Sequence, residues 1–161
     1  MIIIIECLVS IVLFTLIIVP SVMKNPLDHI CDYPKPIMEK CYELGLAERR
    51  EKRFSKKDIV RKFLVCIVFA FLFSLVLYKV NGVTTFLGGA LSAYVIWLSV
   101  TWYDALIIDC IWFCHSKKVQ IPGTENMKEY KDYWYHIRQS LIGTLLGIPV
   151  ALLVGLIIFM F

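Results

Sequence analysis

Four stretches of this chain are so apolar, and so nearly free of charge, that they leave little choice of fold. They are residues 2–19 (IIIIECLVSIVLFTLIIV), residues 63–80 (FLVCIVFAFLFSLVLYKV), a long run from Thr84 to Cys114, and the last twenty or so residues to Phe161. A bilayer core about 30 Å thick is crossed by roughly 20 helical residues. Within lipid no water is present to satisfy an exposed peptide group, so each such stretch must be a helix. The predicted spans are 2–20, 63–80, 84–106 and 139–161. The fold class expected is all-α: one membrane domain, 1–161, an integral membrane four-helix bundle with a polar cytoplasmic cap formed by residues 21–62 and 107–138.

Hydrophobic residues make up 59% of the chain and charged residues 19%, the latter below the quarter usual in soluble domains. Sixteen of the seventeen Lys and Arg residues fall in 21–62 and 115–138. Such a bias marks cytoplasmic loops, which puts both termini outside, and it is read as orientation rather than as nucleic-acid binding. The N-terminal block lacks the basic n-region and cleavage site of a signal peptide, so it reads as a retained span. Eight basic residues crowd 49–62. Arg49, Arg50, Arg53, Lys56, Lys57, Arg61 and Lys62 are candidates for binding anionic lipid headgroups, each contributing on the order of 1 kcal/mol. The plainer role for the same cluster is a topology anchor. The six cysteines include no CxxC pair, so neither a zinc ribbon nor a redox motif is indicated.

Local signals divide the chain further. Pro20 is expected to close the first helix, and Asn81-Gly82 to turn the second span directly into the third as a tight hairpin. Ile37, Cys41 and Leu44 recur on one face of a short amphipathic helix. The third helix shows no break before Cys114, and Trp97, Trp102, Tyr103 and Trp112 suit an interfacial aromatic belt. Thr124, after Pro122-Gly123, reads as the N-cap of a helix. Met127, Tyr130, Tyr133, Trp134 and Ile137 would lay that helix on the membrane surface before the fourth span.

Two constellations stand out. Gly143, Gly147, Ala151 and Gly155 recur every four residues in the last span, and Thr85, Gly89 and Ala93 make a matching row in the third. Small residues let helix backbones approach closely in lipid, so the rows predict packing of these two helices, or else a homodimer seam or contact with a membrane protein partner. The second constellation is polar: Asp104, Asp109, His115, Glu125, Asp132 and His136. Carboxylates and imidazoles are ligands for zinc, iron or manganese, which makes a divalent metal a candidate cofactor. On a regular helix, however, Asp109 lies more than a right angle away from Asp104. The competing account is that these are interfacial groups paired with nearby Lys and Arg. No GxSxG elbow, HExxH pair or phosphate loop is present.

Asp109, Ile121-Pro122-Gly123-Thr124-Glu125, Tyr130, Asp132-Tyr133 and His136 together resemble a group of small multi-spanning bacterial membrane proteins of uncharacterised function. The resemblance covers about a quarter of the chain and implies a bacterial cytoplasmic membrane and a similar topology, but no activity or catalytic residue. Three functions stay open. One is a binding, scaffold or sensor component at the cytoplasmic membrane face. Another is a small enzyme on a lipid or lipid-linked substrate, metal-assisted or not. The third is an oligomeric channel or transporter, which the scarcity of polar positions in the spans disfavours.

Overall fold

The computed structural model of the chain describes residues 2–49 and 56–161, with the backbone only at 56–59, 62 and 65. Five α-helices are present among the described residues and no strand: α1 (Ile2–Lys24), α2 (Lys35–Glu43), α3 (Lys56–Lys79), α4 (Phe86–Tyr103) and α5 (Tyr133–Phe159). Among the described residues three helical runs are long and apolar enough to cross a membrane: Ile2–Lys24, Phe86–His115 and Tyr133–Phe159. The remaining expected span, α3, contributes a shorter apolar stretch, Cys66–Lys79. Large apolar side chains such as Leu8, Leu16 and Ile17 on α1 and Leu145 on α5 point outward. An exposed apolar surface of this extent is what a helix facing lipid requires.

The seam between α4 and α5 is built by the small residues. Ideal Cβ atoms placed on the glycines show how close the helices run. At Gly89 one would lie 3.2 Å from the Cα of Gly155, and at Gly155 one would lie 2.6 Å from the carbonyl oxygen of Phe86. At Gly147 it would overlap the indole of Trp97, and at Gly143 it would lie 3.2 Å from Thr101 Cγ2. Residue numbers rise along α4 as they fall along α5, so the pair is antiparallel. Trp97 closes the seam by donating Nε1–H to the carbonyl of Gly143 at 2.9 Å. The indole therefore takes part in the packing of the two helices. The other side of α5 carries α3, where Ser74, fully buried, bonds the carbonyl of Ala70 at 2.7 Å and lies 3.4 Å from that of Val154. The Asn81-Gly82 turn is present, with Gly82 at φ +66°, but α3 packs chiefly on α5 and touches α4 little, so no tight α3–α4 hairpin forms.

At the other end of the bundle the polar segments fold into a cap with its own core. Tyr33, Ile37, Cys41, Phe113, Val119, Ile121 and Tyr130 are buried together there. The α2 face predicted from Ile37 and Cys41 is the buried one, while Leu44 is exposed. Tyr33 Oη donates to the carbonyl of Val119 at 2.8 Å, and its ring packs edge-on to Phe113 at 4.9 Å. Burial pushes the phenols of Tyr33 and Tyr130 and the thiol of Cys41 above their usual pKa ranges.

Three local expectations are corrected. Pro20 does not end α1, which continues to Lys24, because a helix flanked by other protein or lipid tolerates the one lost amide bond. Thr124 does not cap a helix. Its hydroxyl donates to the carbonyl of Ile121 at 2.8 Å and meets Tyr130 Oη at 2.7 Å, tying a tight turn to the cap core. The segment that follows is a 3₁₀ turn, Lys128–Lys131, with Tyr130 buried in the cap, so the amphipathic helix expected from Thr124 does not form there. The helix starts later, where Asp132 Oδ1 accepts from the Tyr135 amide at 3.0 Å. Finally, the third helix is not regular to Cys114: after Tyr103 it widens into a π-helix, Asp104–Trp112, and ends in a 3₁₀ turn.

Candidate functional site

The π-helix is the element that creates a site. Five residues along an α-helix turn about 140° around the axis, which would send Asp104 and Asp109 to different sides. A π-helix closes its hydrogen bonds between residues five apart, so the same two positions come round to one side of the helix. The amide of Phe113 reaches the carbonyl of Ile108, five residues back. Ala105 and Ile108 stay buried against the bundle. Asp104 and Asp109 both face a cavity of about 330 Å³, a volume within the usual range of small-ligand sites.

Four elements enclose this cavity. Phe14, Ile18 and Val22 of α1 form an apolar wall, and the 3₁₀ segment Pro26–Asp32 with its flank brings His29, Cys31, Asp32 and Tyr33. The π-helix adds Asp104, Asp109 and Trp112, and the first turns of α5 add His136 and Gln139. His29 is held by Ser21 Oγ at 2.9 Å and lies 3.7 Å from the Asp32 carboxylate.

At the cavity wall His136 Nδ1 lies 3.1 Å from Asp109 Oδ2. A carboxylate can only accept, so Nδ1 carries the proton, and in the neutral ring Nε2 is then an acceptor. His136 is only 4% exposed, wedged edge-on against Phe113 and Tyr135 at 5.3 Å each. Its Nε2 has no hydrogen-bond partner among the described residues. A buried polar atom left in this state normally costs stability. The local sequence explains the placement: the Asp132 cap sets where α5 begins, and His136 follows one turn later on the face toward Asp109.

The six polar residues singled out from the sequence do not converge. Asp104, Asp109 and His136 share the cavity. His115 lies outside it, with Nδ1 3.0 Å from the Ile111 carbonyl and Nε2 3.3 Å from Tyr133 Oη. Asp132 caps α5. Glu125 accepts from the Gly123 amide at 2.9 Å, and its own amide together with that of Gly123 holds its carboxyl below the usual range. Gly123 sits at φ +86°, which favours glycine, and an added Cβ would meet Leu44. Among the described residues no three His, Cys, Asp or Glu are placed to hold one metal ion. The reason is that the polar stretch after Cys114 folds outward into the cap instead of returning along one helix face.

Of the proposed headgroup ligands, Arg49 pairs with Glu39 and covers the ring of Tyr42, while Arg61 is exposed on α3. Arg50 and Arg53 lie outside the described residues, and the side chains of Lys56, Lys57 and Lys62 are likewise not described. The lining residues that sequence reasoning passed over are His29, Asp32, Tyr33 and Gln139. A signal existed in the run Pro26-Leu-Asp-His-Ile-Cys-Asp-Tyr-Pro34, dense in titratable groups immediately after a span, but nothing local says that it folds back under the third helix. No family model, curated protein or solved structure matches the chain.

Proposed function

We propose that this chain is a four-span protein of a bacterial cytoplasmic membrane, with its cap inside and both termini outside, and that it acts as a binding or sensor component through the cavity under that cap. Support for the orientation is the concentration of Lys and Arg in the two cap-forming segments. Support for the fourth span is α3, 24 residues long and seated against α5 in the manner of its apolar neighbours. The observation that carries the binding role is the Asp109–His136 pair on the wall of a 330 Å³ cavity, with a buried imidazole nitrogen that no described protein group satisfies. An ionisable pair beside a space large enough for a small ligand is the arrangement that binding sites use to fix orientation. Native mass spectrometry of the full-length protein tests the proposal. A small molecule or lipid retained by the wild type and lost in Cys31→Trp, which narrows the cavity, is the expected result. Equal retention by both would overturn it.

A second reading, an enzyme acting on a lipid or lipid-linked substrate, draws on the same pair, because a carboxylate that orients Nδ1–H leaves Nε2 ready to take a proton. Turnover of a bound lipid, abolished by His136→Gln, would move the assignment to that reading.

A further inference from the structure

We infer that the outward face of α5, beside the cap, holds the phosphate of an anionic phospholipid, with Arg138 and Trp134 as its ligands. The inference does not involve the cavity and rests on α5 being a membrane-length apolar helix. Arg138 is the only Lys, Arg, Asp or Glu in α5, and every residue after it in that helix is uncharged. From Arg138 to Phe159 the helix rises about 31 Å at 1.5 Å per residue, which matches a hydrocarbon core about 30 Å thick. The guanidinium therefore stands at the level where lipid chains give way to headgroups. Its direction is fixed by the glycine seam. The step from Arg138 to Gly147 turns an α-helix about two and a half times, so Arg138 lies opposite the residue that packs on Trp97. Trp134, Leu141 and Leu145 share its face, with Trp134 68% and Leu145 66% exposed. A face that carries leucines toward lipid offers Arg138 no protein acceptor, and no ion pair or hydrogen bond reaches Arg138 or the Trp134 indole among the described residues. The nearby carboxylate of Asp132 is turned to the Tyr135 amide. Two donor groups thus project one turn apart at the depth of the lipid phosphates. A guanidinium fork matches two phosphate oxygens at once, and an indole N–H adds a third donor. Tryptophan and arginine both suit this depth, because each has an apolar body and a polar tip. The charge selects the lipid. No acidic side chain lies on this face, so an anionic headgroup neutralises Arg138, whereas a zwitterionic one brings its own cation beside it.

The test is native mass spectrometry of the full-length chain in detergent, titrated with phosphatidylglycerol and, separately, with phosphatidylcholine. The wild type is expected to take up one phosphatidylglycerol more tightly than phosphatidylcholine. Arg138→Gln, at an exposed position, should keep the fold and weaken phosphatidylglycerol binding about fivefold, the effect of one basic residue at a membrane surface. Arg138→Lys should recover part of the loss, since an ammonium keeps the charge but not the fork. Lys117→Gln removes the same charge from an exposed position outside α5 and should leave binding unchanged. Cys31→Trp, which narrows the cavity, should also leave it unchanged. Equal binding by the wild type and Arg138→Gln, an equal loss in Lys117→Gln, loss in Cys31→Trp, or no preference over phosphatidylcholine would each overturn the site. Depth is measured separately, in nanodiscs carrying lipids with a nitroxide at the headgroup or at the chain end. The fluorescence that disappears in Trp134→Phe should be the part quenched by the headgroup label. Quenching of that part by neither label would take the start of α5 away from the membrane boundary and overturn the proposal at its geometric basis. Headgroup quenching together with unchanged lipid affinity in Arg138→Gln would leave α5 as a span and overturn the phosphate site alone.

Discussion

His136 and Asp109 meet at 3.1 Å across the junction of α5 and the π-helix, joining two of the four elements that frame the cavity. The pair positions a buried imidazole and also ties the start of the last helix to the irregular end of the third. Removing either side chain leaves the other desolvated without its partner, which costs about 1–3 kcal/mol. Asp109→Ala and His136→Ala should each lower the thermal midpoint by several degrees in detergent, and the double variant should lose little more than the worse single one. Additive losses would mean that the two groups are not energetically coupled.

The glycine seam makes an ordered prediction. Gly155→Ala would push a methyl group to 2.6 Å from the carbonyl oxygen of Phe86, whereas Gly143→Ala meets only the Thr101 methyl at 3.2 Å. Overpacking against backbone costs roughly 1–3 kcal/mol, because the backbone cannot rotate away. Gly155→Ala should therefore destabilise the fold clearly, and Gly143→Ala by less. Unfolding titrations in mixed micelles check the order, and the reverse order would contradict the antiparallel seam.

The cap should be sensitive to alkali. Tyr33 and Tyr130 have folded-state pKa values raised above the ordinary 10.0, chiefly by burial. For a group whose folded value is raised, the stability contribution is full below the unfolded value and is lost as pH climbs past it toward the folded one. Stability measured from pH 7 to about 9 should thus not change on account of these phenols, and it should fall above about 10. Tyr33→Phe strands the Val119 carbonyl and should cost on the order of 1 kcal/mol at neutral pH, while flattening the alkaline loss.

At the opposite end, Asn81 Nδ2 donates to Glu6 Oε2 at 2.9 Å, fastening the first turns of α1 to the α3–α4 turn. Asn81→Asp replaces that donor with a second carboxylate and should destabilise by about 1–2 kcal/mol. Adding Glu6→Gln restores a donor–acceptor pair and should recover most of the loss. Failure of this rescue in thermal unfolding would show that the two side chains do not interact.

Much of this architecture was legible in the sequence because it follows from properties that a short window already contains. Membrane-length apolar runs must be helices in lipid, whatever their neighbours, and three such helices are present among the described residues. The four-residue spacing of Gly143, Gly147, Ala151 and Gly155 puts small residues on one face by helix geometry alone. The α2 face of Ile37 and Cys41 was readable for the same reason, periodicity being local. The candidate site was legible only in part. Asp104, Asp109 and His136 were visible as polar residues near a span end, but regular helix geometry sends Asp104 and Asp109 to different sides, and only the π-helix realigns them. The change of hydrogen-bond register lies in a segment where Ala105 and Ile108 are buried against the bundle, and no local pattern in the sequence encodes it. The tertiary structure likewise decided that His115, Glu125 and Asp132 serve the cap and helix start, and that His29 and Asp32 join the cavity in their place. Sequence by itself determined which segments avoid water and which small residues share a helix face, since both depend on side-chain chemistry at short range. Which polar groups meet was decided only by the fold, because it depends on contacts between segments far apart in the chain.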